Sequence, residues 1–368
     1  MKLSCERERF TQAFKLAASV AASRDVKPVL QNVKATITKK SVLLQATDVE
    51  IGIRLHLDGC DNLEKGEAIL PAKMFRQMLD VFRHPQLLIE SEEEKVYVSG
   101  AKKRQYSFLT QSTDEFPDIE DFSESSYHEV SVKVLREIIR RTVFAIDPEN
   151  NRYAFNGVLI EFVDDKICGV ATDGRRLAFQ EGTATCVGDH KAENTIFPPK
   201  ALQILDRALG DDDDIVQVSV STNRALFRCG NIVFFTRLIE GRFPRWRNII
   251  PETEGKIQVD ILAGALNSAV QQAAIVVSDR EPGVIFALDS GMLTIQGHGA
   301  ESGDASVDVP ISYTGEAKEV KLNPKFFTDY LKALDSEKNL SMYIGGDEPV
   351  HLRTDDAYIY VVMPMSRD

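Results

Sequence analysis

One pattern of residues occurs three times along this chain, and that repetition limits the possible folds more than any other feature. Leu70-Pro71-Ala72-Lys73-Met74-Phe75 returns as Phe197-Pro198-Pro199-Lys200-Ala201-Leu202 and again as Leu322-Asn323-Pro324-Lys325-Phe326-Phe327. Lys73, Lys200 and Lys325 are therefore 127 and 125 residues apart. Thr47-Asp48 recurs 125 residues on as Thr172-Asp173, and Phe116-Pro117 recurs 127 residues on as Phe243-Pro244. Arg228, expected in a turn between strands, recurs 125 residues on as Arg353. One shared step across independent landmarks implies three copies of one unit.

Each copy reads in the same order. An amphipathic helix comes first, over 7–21, 131–146 and 260–277; Leu135, Ile138, Ile139 and Thr142 have the i, i+3, i+4, i+7 spacing of one buried face. Short apolar strands follow, at 42–46 and 167–171. A second helix opens at the proline-lysine signal and covers 71–83, 198–209 and 323–334, because proline suits a first helical turn. Three strands close the copy; in the third they cover 339–344, 349–353 and 357–363, with turns at Gly345-Gly346-Asp347 and Asp355-Asp356. The fold class expected is α+β, with three similar domains at 1–126, 127–252 and 253–368, each placing two helices on an antiparallel sheet. The polar stretches 121–126 and 251–255 carry the boundaries, and the acidic run 211–214 reads as a solvated turn.

Several function classes find no support. No run of about 18 apolar residues offers a membrane span, and the charged first ten residues do not read as a signal peptide, so the expected location is cytoplasmic. Five cysteines, at 5, 60, 168, 186 and 229, form no CxxC pair, which argues against a disulfide framework or zinc site and for small core residues in a reducing compartment. The six histidines, 56, 84, 128, 190, 298 and 351, lack metal-binding spacing and are expected at the surface or in turns. No phosphate-binding loop and no GxSxG elbow occurs, and Gly297-His298-Gly299 reads as a turn. No cofactor or metal is expected.

Charge is unevenly spread. The six helical segments carry a net +8 in a chain whose total is −12, leaving −20 elsewhere. Basic helices on an acidic body suit a surface that faces a polyanion and neutralises phosphates without reading bases. Lys and Arg are also good helix formers, so propensity alone gives a competing account, and 260–277 has neither residue. The segment Ala171-Thr172-Asp173-Gly174-Arg175-Arg176-Leu177-Ala178 is the most distinctive. It reads as a tight Asp-Gly turn between strands, with a phosphate site, a docking surface beside Leu177 and a catalytic turn as alternatives.

The chain as a whole resembles the bacterial sliding clamp family, the beta subunits of DNA polymerase III. The motifs that carry the resemblance are Arg152-Tyr153 leading into Phe155-Asn156-Gly157, the segment 171–178, the segment 238–244 (LIEGRFP), and Tyr360-Val361-Val362-Met363-Pro364-Met365. The resemblance implies a non-catalytic processivity factor. Two copies would form a head-to-tail ring of six domains, with helices lining the hole and duplex DNA held by enclosure, without sequence preference. It implies partners: the replicative polymerase catalytic subunit, an ATP-driven clamp loader, and other polymerases and repair proteins that insert short peptides into one pocket. The matching pocket positions are Phe155, Thr172, Gly174, Arg175, Arg176, Leu177, Pro244, Ile249, Pro349, Val361, Val362, Met363, Pro364 and Met365. Leu, Val and Met would give that pocket an adaptable apolar floor.

For DNA contact the resemblance implies Arg24 and Lys73, with Arg152 and Tyr153 from a loop; the repeat adds Lys200 and Lys325. For the dimer contact it implies Tyr106 and Phe108 on one edge and Ile275 and Val276 on the other, against simple burial of the four within their own domains. The chain departs from the family at Met74, where some members carry a basic residue, and at Glu149, in the loop that contributes DNA contacts. It departs also at Asn248, where many carry a longer basic run, and in running on through 366–368. Two other readings compete: a peptide-binding scaffold that never encloses DNA, and an enzyme acting through the 173–176 turn.

Overall fold

The structure is a computed structural model and describes residues 1–24, 27–100, 104–147, 149, 153–191, 195–278, 282–345 and 348–366. Six α-helices occur among these residues: α1 Arg7–Ala18, α2 Ala72–Val81, α3 Val132–Thr142, α4 Pro199–Ala208, α5 Ala263–Ala273 and α6 Pro324–Leu331. Each buries one stripe. Phe10, Ala13, Phe14 and Ala17 do so in α1, and Leu135, Ile138, Ile139 and Thr142 in α3. Thr142 keeps its hydroxyl satisfied by donating to the Ile138 carbonyl at 2.6 Å. Proline opens α4 and α6, as expected; at α2 it stands one residue earlier, as Pro71, the last residue of a strand.

Each copy opens on a strand, not a helix. Lys2–Glu6, Tyr127–Ser131 and Ile257–Leu262 run directly into α1, α3 and α5. All three alternate in burial, so the segment 260–262, expected as helix, is the end of a strand whose Val259 and Ile261 face the core. Arg228 and Arg353 likewise lie in strands, Arg224–Cys229 and Val350–Arg353, instead of in a turn.

Every ladder between the strands of the described residues is antiparallel, and the strands form four sheets. In one compact unit (1–133, 184–192 and 200–238) a nine-stranded sheet runs through two copies. Its seam joins Ile232–Arg237 of the second copy to Ile51–Leu57 of the first, with Phe234 opposite Ile53. In the other unit (134–183, 193–199 and 239–368) an eight-stranded sheet repeats the arrangement. Here Tyr358–Val362 of the third copy pairs with Arg176–Thr183 of the second, with Leu177 opposite Val361. The closing strands of one copy thus extend the sheet begun by the copy before it.

Two half-sheets remain. The closing strands of the first copy lie in a five-stranded sheet whose edge is Tyr106–Leu109, and the opening strands of the third form a four-stranded sheet whose edge is Gly303–Pro310. Gly297 and Gly299 sit in the strand Met292–Gly299, not in a turn. Their missing side chains have a use: a Cβ on them would lie 2.0 Å from the Ala273 carbonyl oxygen and 1.9 Å from that of Val276, so glycine alone lets the end of α5 approach the sheet.

Side-chain placement corrects two further expectations. Cys5, Cys168 and Cys229 are buried, but Cys60 is half-buried and Cys186 exposed; all five are free thiols. His128 and His351 are buried strand residues, not surface ones. The acidic run 211–214 is an exposed turn, as read.

Candidate peptide-binding pocket

The distinctive segment folds into a self-contained turn. The Thr172 hydroxyl donates to the Arg176 carbonyl at 2.6 Å and accepts from the Gly174 amide at 3.1 Å. Asp173 Oδ1 accepts from the amides of Arg175 and Arg176, both at 2.9 Å, and its Oδ2 accepts from Arg176 Nε at 3.0 Å. Both carboxylate oxygens are engaged in holding the turn. Gly174 has φ +86°, a conformation glycine adopts without strain.

Arg176 is a buried strut. Its guanidinium also donates to Asp329 Oδ2 at 2.9 Å and to the Phe144 carbonyl at 2.7 Å, and it lies over the rings of Phe144 and Phe326. Burial works against the charge on Asp329, but Lys325 and Arg176 hold its carboxyl below the usual range. The turn is fixed to α6 and to the short helix Val143–Ala145 through one side chain.

Above this turn is a small cavity of about 110 Å³ lined by Phe155, Thr172, Gly174, Arg175, Arg176, Leu177, Pro244, Ile249, Val361 and Met363. Leu177 and Val361, paired across the seam, are buried and belong to the cluster beneath it, with Phe179, Phe243 and Trp246. Phe179 and Trp246 stack at 4.9 Å. Met363 and Ile249 are 45% and 41% exposed. The result is a rigid apolar floor with a flexible thioether and an aliphatic chain left at its surface, a combination suited to an inserted Leu or Phe side chain.

Ten of the fourteen pocket positions named from the sequence meet at this cavity. Val362 is buried, adjacent in the strand to Val361 and so directed to the other face of the sheet. Pro349, Pro364 and Met365 are half-buried and outside the lining; the Met365 amide donates to the Lys321 carbonyl at 2.8 Å. Sequence reasoning missed Trp246, the one tryptophan of the chain, which supports the floor two residues beyond the LIEGRFP motif. Of the departures, Met74, Glu149, Asn248 and Ser366 are all exposed, and 367–368 lie outside the described residues.

The first copy has the same turn. The Thr47 hydroxyl donates to the Ile51 carbonyl at 2.7 Å, and Asp48 Oδ1 accepts from the amides of Glu50 and Ile51. The cavity beside it is larger, about 310 Å³, but ringed by charge: Arg224 pairs with Glu120 at 2.5 Å and Arg237 with Glu50 at 3.5 Å. An apolar anchor would have to displace or desolvate those ions, so the smaller apolar cavity is the better peptide site.

The basic residues are placed as follows. Lys73, Lys200 and Lys325 each occupy the second residue of α2, α4 and α6 and are exposed. Lys200 reaches Asp48 at 2.5 Å and Lys325 reaches Asp329 at 2.8 Å. Arg24 is exposed, Tyr153 begins the short helix Tyr153–Phe155, and Arg152 lies outside the described residues. Tyr106 and Phe108 stack with centroids 6.3 Å apart on the edge strand, half-buried, with Phe108 also against Phe75. Ile275 is 78% exposed and Val276 half-buried, in the short helix after α5.

Comparison with known proteins agrees with this architecture. Residues 1–120, 129–245 and 247–366 match, in order, the N-terminal, central and C-terminal domains of the DNA polymerase III beta subunit. The chain belongs to that family. Among its relatives are the beta sliding clamps of Pseudomonas putida, 27% identical, and Haemophilus influenzae, 28% identical, each over 99% of this chain and 100% of the relative. The DNA polymerase III beta subunit of Pseudomonas aeruginosa superimposes with a TM-score of 0.88 at 26% identity, covering all of both chains. A sliding clamp of the same species bound to griselimycin gives 0.91 at 26% identity, over 100% of this chain and 99% of the other. The DNA polymerase III beta subunit family accounts for the three-domain fold of helices and antiparallel sheets, and for a processivity role without catalysis.

Proposed function

We propose that this sliding clamp holds duplex DNA by enclosure, in a ring of two chains joined head to tail. The observation that carries this reading is the bookkeeping of the seams. Within the chain, the closing strands of the third copy extend the opening sheet of the second, and those of the second extend that of the first. The rule leaves over the closing strands of the first copy and the opening strands of the third, and their edges are the equivalents of the seam strands: Tyr106 lies 127 residues before Val233, and Gly303 lies 127 residues after Arg176. A second copy supplies the missing partner at each edge, and a head-to-tail contact that closes makes a ring, not a fibre. Tyr106, Phe108, Ile275 and Val276 then form the joint, and three domains divide each chain near 126 and 252.

On this reading α1 to α6 face the DNA, and Arg24, Lys73, Arg152, Tyr153, Lys200 and Lys325 make weak phosphate contacts. Lys200 and Lys325, already paired with carboxylates, exchange those partners for phosphate at small net gain, which favours sliding. The apolar cavity takes, one at a time, peptides from the replicative polymerase, the ATP-driven clamp loader and other polymerases and repair proteins, in the cytoplasm. No helix of the described residues is long and apolar enough to cross a membrane.

The experiment loads the protein onto primed circular and linear DNA with a clamp loader and ATP. Retention on the circle, rapid loss from free ends and a longer polymerase run are expected; equal loss from both DNAs would refute enclosure.

A further inference from the structure

Cys5 and Cys60 meet in the first copy. Cys5 is in the strand Lys2–Glu6, and Cys60 immediately precedes the strand Asp61–Glu64. The ladder sets Leu3 opposite Asn62 and Ser4 opposite Asp61, so its next rung sets Cys5 opposite Cys60. Residues directly opposite in an antiparallel pair have Cα atoms roughly 4.5–5.5 Å apart, inside the span a disulfide bridges. The Cys60 thiol donates to the Asp58 carbonyl at 3.8 Å.

The pair is asymmetric. Cys5 is buried; the hydrogen bond to Cys60 and the loss of solvent push its thiol up, keeping the proton. Cys60 is half-buried and can be reached from solvent. The hydrogen bond from Cys5 and the Arg9 guanidinium lower its thiol, against the opposing effects of burial, Asp58 and Asp61. A solvent-reachable thiol that gives up its proton more readily than usual, with a second thiol opposite it, is the arrangement of a redox-responsive pair.

We propose that Cys5 and Cys60 are a modification site: a dithiol that a peroxide closes, reversibly, into a cross-strand disulfide. The Cys60 thiolate attacks one peroxide oxygen; an S–O bond forms, the O–O bond breaks, and hydroxide leaves and takes up a proton. Cys60 is now a sulfenic acid and the peroxide is reduced. The Cys5 sulfur then attacks Cys60; the S–S bond forms, the S–O bond breaks, and the departing hydroxyl leaves as water with the Cys5 proton. Two thiols and one peroxide become one disulfide and two waters. A thiol reductant reverses the closure. The bond ties the exposed edge strand Asp61–Glu64 to the strand that leads into α1, in a sheet whose other edge is Tyr106–Leu109.

The test exposes the folded chain to hydrogen peroxide, blocks remaining thiols by alkylation and maps all five cysteines by mass spectrometry. Exposed Cys186 is the internal control, since reactivity set by access alone would modify it first. The expected product is a Cys5–Cys60 linked peptide, two hydrogens lighter and lost on reduction, formed before Cys186 is modified. It should raise the thermal unfolding midpoint by several degrees. Cys5→Ser should leave Cys60 as a sulfenic acid trapped by dimedone, and Cys60→Ser should leave Cys5 unreacted in the folded chain. Oxidation of Cys186 with Cys5 and Cys60 still free would overturn the proposal, as would sulfinic acid at Cys60 without the link.

Discussion

Met363 and Leu177 face one cavity from opposite degrees of burial, so truncating each should separate binding from folding. Met363→Ala is expected to weaken binding of a clamp-directed peptide about tenfold, some 1–2 kcal/mol, with little effect on unfolding. Leu177→Ala should weaken binding and also cost about 2–4 kcal/mol of stability, because it opens a void under the seam. Calorimetric titration and denaturant unfolding check both. A buried histidine gives a pH prediction. Burial, then the charges of Arg353 and Lys256, lower His351 to about 4, and its Nε2 accepts from Arg353 Nε at 2.8 Å. The folded state therefore binds its proton less readily than the unfolded chain. Its contribution is complete above about pH 6.5 and is lost as pH falls toward about 4, on the order of 3 kcal/mol. His351→Asn should lessen the fall of unfolding free energy across that window, leaving the part due to His128, which burial and His190 also lower to about 4, and to His190, which burial lowers. None of this was legible in residue spacing: His351 and Arg176 read as polar, and only the packing of neighbouring strands reveals that both are buried.

The two equivalent turns differ at one residue that matters to the element. Where the second copy has Gly174 at φ +86°, the first has Val49 at φ +76°, a β-branched residue in the left-handed region. The side-chain hydrogen bonds of Thr47 and Asp48 keep the turn despite that strain. Val49→Gly should stabilise the chain by up to about 1 kcal/mol, the relief of strain being partly offset by glycine's freedom in the unfolded state; thermal unfolding reads the change. The six helices were legible because each repeats an apolar stripe and three follow a proline signal. The strands before α1, α3 and α5 were not, because five or six residues with at most two buried apolar positions, and one in Tyr127–Ser131, resemble the approach to a helix. Ten of the pocket positions named from the sequence converge on one cavity, and Val362 shows the limit of a motif: adjacent strand residues point to opposite faces.

For the whole molecule, the threefold period announced the architecture, and the seams explain why counting domains along the chain undersells it: the middle copy shares a sheet with each neighbour. The head-to-tail reading predicts a native mass of twice 41.1 kDa. Ile275→Asp, which places charge on the most exposed large aliphatic side chain among the described residues, should shift the protein to single chains in light scattering without lowering its unfolding midpoint. An unchanged mass would leave the two edge strands without the partner assigned to them.

Each seam inside the chain is tied twice, by its ladder and by the polypeptide that runs through both copies. The joint between copies would have only non-covalent ties, and on one side it would rest on Tyr106–Leu109, a strand of four residues. A closed circle under load parts at its least-reinforced link. On the proposed head-to-tail reading, a loader that threads a duplex through it would need to loosen only that short clasp, and the rest of the hoop could stay folded while the gap is open.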